Sequence, residues 1–246
     1  MATGPLLCVD LGNTRAKATL FPEQDAPRLA FAGPAAELPS SLDPGWAPRL
    51  VALSAVSSVE QVVAVRAALE AAFPAAPLVT PDPGLALRVD SPETVGQDRL
   101  LAARGALDLL SRSAIVVQVG TCLTVDAVSD AEGGAFLGGA IAPGPDLLAR
   151  ALAEGGARLP AVAPQPDAPA LGRDTVRALQ AGVAVGLRGA ARELVLEVAR
   201  EAGLEAAPVV LTGGAREFVR EGLASLGRSL REDEHLVARG MAAACR

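Results

Sequence analysis

A strand, a glycine turn and a second strand open each half of the chain, and this repetition restricts the possible folds more than any other feature. Residues 5–10 (Pro-Leu-Leu-Cys-Val-Asp) form a short apolar run that ends in a turn at Gly12, and 14–21 resume as a second strand. Residues 114–119 (Ala-Ile-Val-Val-Gln-Val) repeat the buried run, followed by Gly120 and a strand over 121–130. Self-similarity at roughly half the chain length implies an internal duplication. Around these openings the pattern alternates. Strands are expected at 28–33, 50–56, 76–80, 135–142 and 208–212, and helices at 58–73, 97–112, 144–154, 174–201, 214–226 and 233–244. Ser57 or Ser58 caps the 58–73 helix. The reading is an α/β protein of two domains, 1–113 and 114–246. The Pro- and Ala-rich stretch 160–170 is a loop within the second of them.

Composition excludes several classes of partner. Half of the 246 residues are hydrophobic, with five Phe, one Trp and no Tyr, so the core is aliphatic. The net charge is −6 and no basic run occurs, which argues against nucleic acid as a partner. No stretch has the features of a signal peptide or the length of a membrane span. Cys8, Cys122 and Cys245 lack metal-ligand spacing and read as small hydrophobes in a reduced cytoplasm.

Asp10-Leu11-Gly12-Asn13-Thr14-Arg15-Ala16-Lys17 occupies the first turn. Gly12 lets backbone N–H groups approach a phosphate, and Asp10 at the strand end is placed to hold a hydrated Mg²⁺. An ordinary Gly-Asn hairpin explains the same pattern. Lys17 is the only lysine among 22 basic residues, and Asn13 is the only asparagine. In a chain so biased toward arginine, a lone lysine beside a glycine turn reads as a compact point charge for phosphate. Gln118 to Asp126 repeat the form with Gly120, Thr121 and Thr124, so that two glycine turns would clamp a triphosphate; Thr124 is equally a good strand residue. Thr212-Gly213-Gly214 ends a strand and opens a helix, another place for phosphate. Gly96-Gln97-Asp98-Arg99 begins the 97–112 helix. There an anion is favoured, Arg99 can grip a carboxylate, and Asp98 can act as general base or simply cap the helix. The single histidine, His235, lies in a polar terminal segment, so a base, if any, is a carboxylate.

These pieces, with Gly138-Gly139-Ala140-Ile141-Ala142-Pro143-Gly144, Ala157-Arg158-Leu159-Pro160 and Leu171-Gly172-Arg173-Asp174-Thr175, resemble the type III pantothenate kinases of the acetate kinase/sugar kinase/Hsp70/actin superfamily. The order agrees over nearly the whole chain. The resemblance implies two ribonuclease-H-like α/β domains, a duplicated actin-like ATPase fold, with a nucleotide cleft between them. It implies ATP-dependent phosphorylation of pantothenate to 4′-phosphopantothenate, the first step of coenzyme A biosynthesis, in a cytoplasmic homodimer. Residues 10–17 and Thr121 would bind ATP, with Mg²⁺ held by Asp10 through water. Gly96, Gln97, Asp98 and Arg99 would line the pantothenate pocket, with Asp98 as proton acceptor. Thr175 would reach pantothenate across the dimer. Two positions depart from the family. Gln118 stands where the family has an aspartate for a monovalent cation (K⁺ or NH₄⁺), and Val89 stands where it has a tyrosine. A regulatory relative resembling the Bvg accessory factors, or a kinase for another small hydroxy acid, is the alternative.

Overall fold

The computed structural model describes residues 4–12, 15–22 and 26–246. The chain forms two compact units. One comprises Met1–Ala86, Asp90–Leu109 and His235–Arg246; the other comprises Leu87–Val89 and Leu110–Glu234. The sequence division at 113/114 assigned the C-terminal helix to the second half, whereas its contacts group it with the first.

In the first unit, β1 (Leu6–Leu11), β2 (Arg15–Phe21), β3 (Arg28–Pro34), β4 (Leu50–Ala55) and β5 (Leu78–Val79) form a sheet of order β3-β2-β1-β4-β5. β1 is antiparallel to β2 and parallel to β4. Alternation along β1 sends residues to opposite faces. Leu7, Val9 and Leu11 pack with Val65, Leu69 and Phe73 on and beside α1 (Val59–Ala72). Ser58 caps α1, its hydroxyl accepting from the Gln61 backbone N–H at 3.3 Å. Leu6 and Cys8 face the other way, toward Leu101 of α2 (Gln97–Leu110) and Ala238, Met241 and Ala242 of the C-terminal helix Leu236–Ala244. Cys8 is a buried free thiol that donates to Ala238 O at 3.4 Å, and burial together with Cys245 pushes its pKa up.

Two glycines explain why the C-terminal helix belongs here. A Cβ at Gly105 would lie 2.2 Å from Leu236 O, and one at Gly240 would lie 1.8 Å from Leu101 O. The two helix backbones touch, and no larger residue fits at either position.

In the second unit, β6 (Ala86–Leu87), β7 (Ala114–Val119), β8 (Cys122–Ser129), β9 (Ala135–Pro143), β10 (Val209–Thr212) and β11 (Leu230–Glu232) form a sheet of order β11-β10-β7-β8-β9-β6. The central pattern of the first unit recurs: β7 is antiparallel to β8 and parallel to β10. Ile115, Val117, Val119, Leu123 and Val125 face Val183, Leu187, Ala191 and Val195 of the long helix α4 (Thr175–Glu201). Helix α3 (Pro145–Gly155) adds Ala149 to this core, and α5 (Arg220–Ala224) adds Leu223.

The helix expected over 214–226 is broken. A 3-10 turn at Arg216–Phe218 precedes the short α5, because Gly213 adopts φ 101 and Val219 sits at φ −117. β11 was not anticipated, since Leu-Arg-Glu carries no apolar run and is held by backbone pairing to β10. No helix among the described residues is long and apolar enough to cross a membrane.

Gly240→Ala is expected to lower unfolding stability by about 1–3 kcal/mol through overpacking of the helix crossing. Gly155→Ala, whose Cβ would meet nothing within 4 Å, is expected to leave stability unchanged or slightly higher. Urea denaturation of both variants against wild type checks this.

Candidate active site

The first unit gathers most of the sequence-predicted site. At the end of β1, Asp10 pairs across the sheet with Lys17 of β2 and with Ser54 of β4. Register partners project to the same face. Asp10, Lys17 and Ser54 therefore form one polar row on the face that α2 covers, continuing the Cys8 side of β1. Gly12 closes the turn, its N–H donating to Arg15 O at 2.9 Å. Asn13 and Thr14 lie outside the described residues.

Asp98 approaches this row from the first turn of α2. A Cβ at Gly96 would lie 2.6 Å from Asp98 Oδ1, so glycine leaves the space that the carboxylate occupies. Gln97 Nε2 donates to Pro81 O at 2.9 Å and fixes the helix start. Arg99 sits in the same turn, partly buried.

Asp10 is partly buried, and its pKa is raised from 3.8 to about 6. Burial is the largest cause, the Asp98 carboxylate adds to it, and Lys17 opposes both. Two carboxylates and one lysine at a strand end form a donor set suited to a hydrated dication and a polyphosphate. A dication beside Asp10 would favour the charged carboxylate against burial and Asp98. Among the described residues no cluster of three or more His, Cys, Asp or Glu forms a protein-only metal cage. Water and phosphate oxygens would supply the rest of the coordination.

Leu11 and Ala16 are fully packed in the α1-side core, so only their backbone can reach a ligand. Arg15 is exposed.

The second unit holds Gln118, Thr121 and Thr175. Gln118 pairs with Thr124 of β8 and Thr212 of β10, giving a row laid out like that around Asp10 but uncharged. Gln118 Oε1 and Thr124 Oγ1 are buried without a hydrogen-bond partner. Thr121 is exposed on the turn after β7. Glycines hold that turn from two sides. A Cβ at Gly144 would lie 2.1 Å from Gly120 O, and one at Gly213 would lie 2.1 Å from Val119 O. Gly144 N–H donates to Thr121 O at 2.9 Å, and Ala215 N–H to Val119 O at 3.1 Å. Thr175 is exposed at the start of α4, beside Asp174, which caps the helix by accepting from Arg177 N–H at 2.8 Å.

Comparison with known proteins bears on this arrangement. The profile of the type III pantothenate kinase family matches residues 6–197. The chain belongs to that family. A type III pantothenate kinase of Parafrankia sp. is 32% identical over 230 residues, covering 88% of this chain and 89% of the relative. One from Dehalococcoides mccartyi strain 195 is 40% identical over 153 residues, 61% of this chain, and that match spans only 58% of the relative's length. Among solved structures, a Campylobacter jejuni protein assigned to the Baf family of transcriptional activators aligns with TM-score 0.56 at 19% identity, covering 97% of this chain and 95% of the other. MreB 5 of Spiroplasma citri, bound to AMPPNP, aligns with TM-score 0.56 at 9% identity, covering 98% and 96%. These likenesses establish the fold as the duplicated ribonuclease-H-like, actin-like architecture.

Sequence reading did not single out Ser54, which the register places beside Asp10. Its signal was available, as the one polar side chain in the buried strand Leu50–Ala55.

Asp10 makes stability depend on pH. Because its folded pKa is raised, the native state benefits from protonated Asp10 below about pH 4 and loses that benefit as pH rises through about 6. Asp10→Asn removes the cost of ionisation. Discounted for partial exposure, it is expected to be about 1–3 kcal/mol more stable than wild type at pH 8, with no gain near pH 4. Urea denaturation of the ligand-free proteins at both pH values measures the difference.

Proposed function

We propose that this protein transfers the γ-phosphoryl group of ATP to the primary hydroxyl of pantothenate, giving ADP and 4′-phosphopantothenate, the first step of coenzyme A biosynthesis. The observation that carries the reading is the meeting of Asp10, Lys17 and Asp98 in one unit. A metal-binding carboxylate, a phosphate-binding cation and a candidate base are what such a transfer requires.

Asp98 accepts the proton of the alcohol as the hydroxyl oxygen bonds to the γ-phosphorus and the bond to the bridging oxygen of ADP breaks. Lys17 sets a point charge against the phosphate oxygens, and the backbone of residues 10–17 lines the polyphosphate. Mg²⁺, held through water by Asp10, would neutralise charge that develops on the transferring group. Thr121 is proposed to contact the nucleotide through its hydroxyl. Arg99, with Gly96 and Gln97, receives the pantothenate carboxylate.

A monovalent cation at the Gln118 position would meet a neutral amide instead of the family's aspartate. Gln118 and Thr124 offer oxygens without charge, so no carboxylate field draws a cation out of water. We therefore expect potassium dependence to be weak. The homodimer draws support from α4. Val185 is 41% exposed, and Cβ atoms at Gly182, Gly186 and Gly189 on the same side of the helix would meet nothing within 4 Å. This open face begins at Thr175, the residue proposed to reach the partner's pantothenate.

An ADP-release assay tests the reading. Release is expected to require pantothenate and Mg²⁺ and to proceed at similar rates in sodium, potassium and ammonium salts. Asp98→Asn is expected to lower kcat by about 10²- to 10⁴-fold. Pantothenate-independent release, or none under any salt, would remove the proposal. Sedimentation equilibrium is expected to give twice the 24.8 kDa chain mass.

A further inference from the structure

Ser54 is fully buried, yet its hydroxyl oxygen has no hydrogen-bond partner. Its neighbours in β4 are apolar, so nothing in the strand's packing calls for a hydroxyl. The next two serines in the chain are accounted for: Ser58 caps α1, and Ser57 bonds to Gln61. Ser54 is different. It lies beside Asp10 in the parallel register of β1 and β4, on the same face of the sheet, with Lys17 on the far side of Asp10. Neighbouring strands are about 4.8 Å apart, so a hydroxyl on one reaches a carboxylate on the next directly after a rotamer change or through one water. An unmet buried hydroxyl lowers stability, and alanine would fill this space nearly as well.

We propose that Ser54 is a positioning residue for the metal-bound nucleotide, its hydroxyl donating to the Asp10 carboxylate and orienting it toward the hydrated dication. The inference rests on the kinase reading and assigns to that site a residue that no motif contains. A donor on the β4 side holds the Asp10 carboxylate in one orientation, while Lys17 serves the phosphates on the β2 side. Ser54 touches neither substrate nor metal. It acts through Asp10.

The test compares Ser54→Ala with wild type in three measurements. Calorimetric titration with a non-hydrolysable ATP analogue, with Mg²⁺ and separately in EDTA, is expected to show about tenfold weaker binding of the Mg²⁺ form and unchanged binding of the metal-free form. The ligand-free melting temperature is expected to be equal or higher. In turnover, kcat falls while the KM for pantothenate stays constant. Ser54→Thr, which keeps a hydroxyl, is expected to restore Mg²⁺-dependent affinity. Ser54→Cys, of similar volume and a poor donor, is expected to behave like alanine and decides the matter should the threonine methyl group unfold the protein. Ser54→Ala or Ser54→Cys binding both forms as wild type does would overturn the proposal. Equal loss of both forms with a lowered melting temperature would overturn it too, by showing a structural role. A wild-type protein that binds neither form defeats the kinase reading itself, and this inference with it.

Discussion

The backbone contact between α2 and the C-terminal helix governs the geometry of the first unit. Gly105 and Gly240 let the two helices approach until side-chain-free backbone meets backbone. Leu101, Ala238 and Met241 then seal the even-numbered face of β1. The consequence for chemistry is local. With α2 pressed onto this face, its first turn delivers Asp98 to the strand end where Asp10 lies. The chain must therefore return at its C-terminus to complete the unit that its N-terminus began. Residues 236–244 thus back the helix that carries Asp98.

Duplication supplied two equivalent scaffolds, and the residues at matching positions have diverged in charge. In each sheet a central strand pairs antiparallel with the next strand and parallel with a later one. The fifth residue of that central strand is Asp10 in one unit and Gln118 in the other. Its flanking partners are Lys17 and Ser54 in the first unit, and Thr124 and Thr212 in the second. The first row carries both signs of charge and suits a metal with phosphate. The second carries only neutral oxygens, two of them buried and unpartnered. Removing charge from a buried row lowers its desolvation cost, at the expense of the strong field a carboxylate would exert on a cation.

Much of this was legible in the sequence because it depends on short-range signals. Strand–glycine–strand openings, the Ser58 cap and most of the helices follow local propensity, and those elements fall where the signals put them. The start of α2 was legible for the same reason, since a glycine stands directly before a helix that opens Gln97-Asp98-Arg99. What escaped reading depends on register and on distant backbone contacts. Ser54 becomes notable only once β4 is known to lie parallel to β1 in that particular alignment. Gly105 and Gly240 are 135 positions apart and look like ordinary helix glycines until the two helices cross. The broken 214–226 helix escaped because Gly213 is committed to φ 101 by the carbonyl of Val119, a contact no helical periodicity encodes.

The glycines of the second unit connect these points to function. Gly144 and Gly213 are each separated by about 2 Å, at an imagined Cβ, from carbonyls of the 119–121 turn. They brace this turn from its two sides while Gly120 itself faces open space. A turn braced in this way has little conformational entropy left to lose when a ligand arrives. The first unit stores cost differently, in a carboxylate held beside another carboxylate in a partly dry setting. One unit is rigid before the ligand comes; the other is electrostatically uncomfortable until a cation does. A dication beside Asp10 would relieve the second condition, whereas a metal-free polyphosphate would leave it unmet. That difference would give the Asp10 row of the first unit a physical reason to prefer a metal complex, independent of any contact to a base or a sugar.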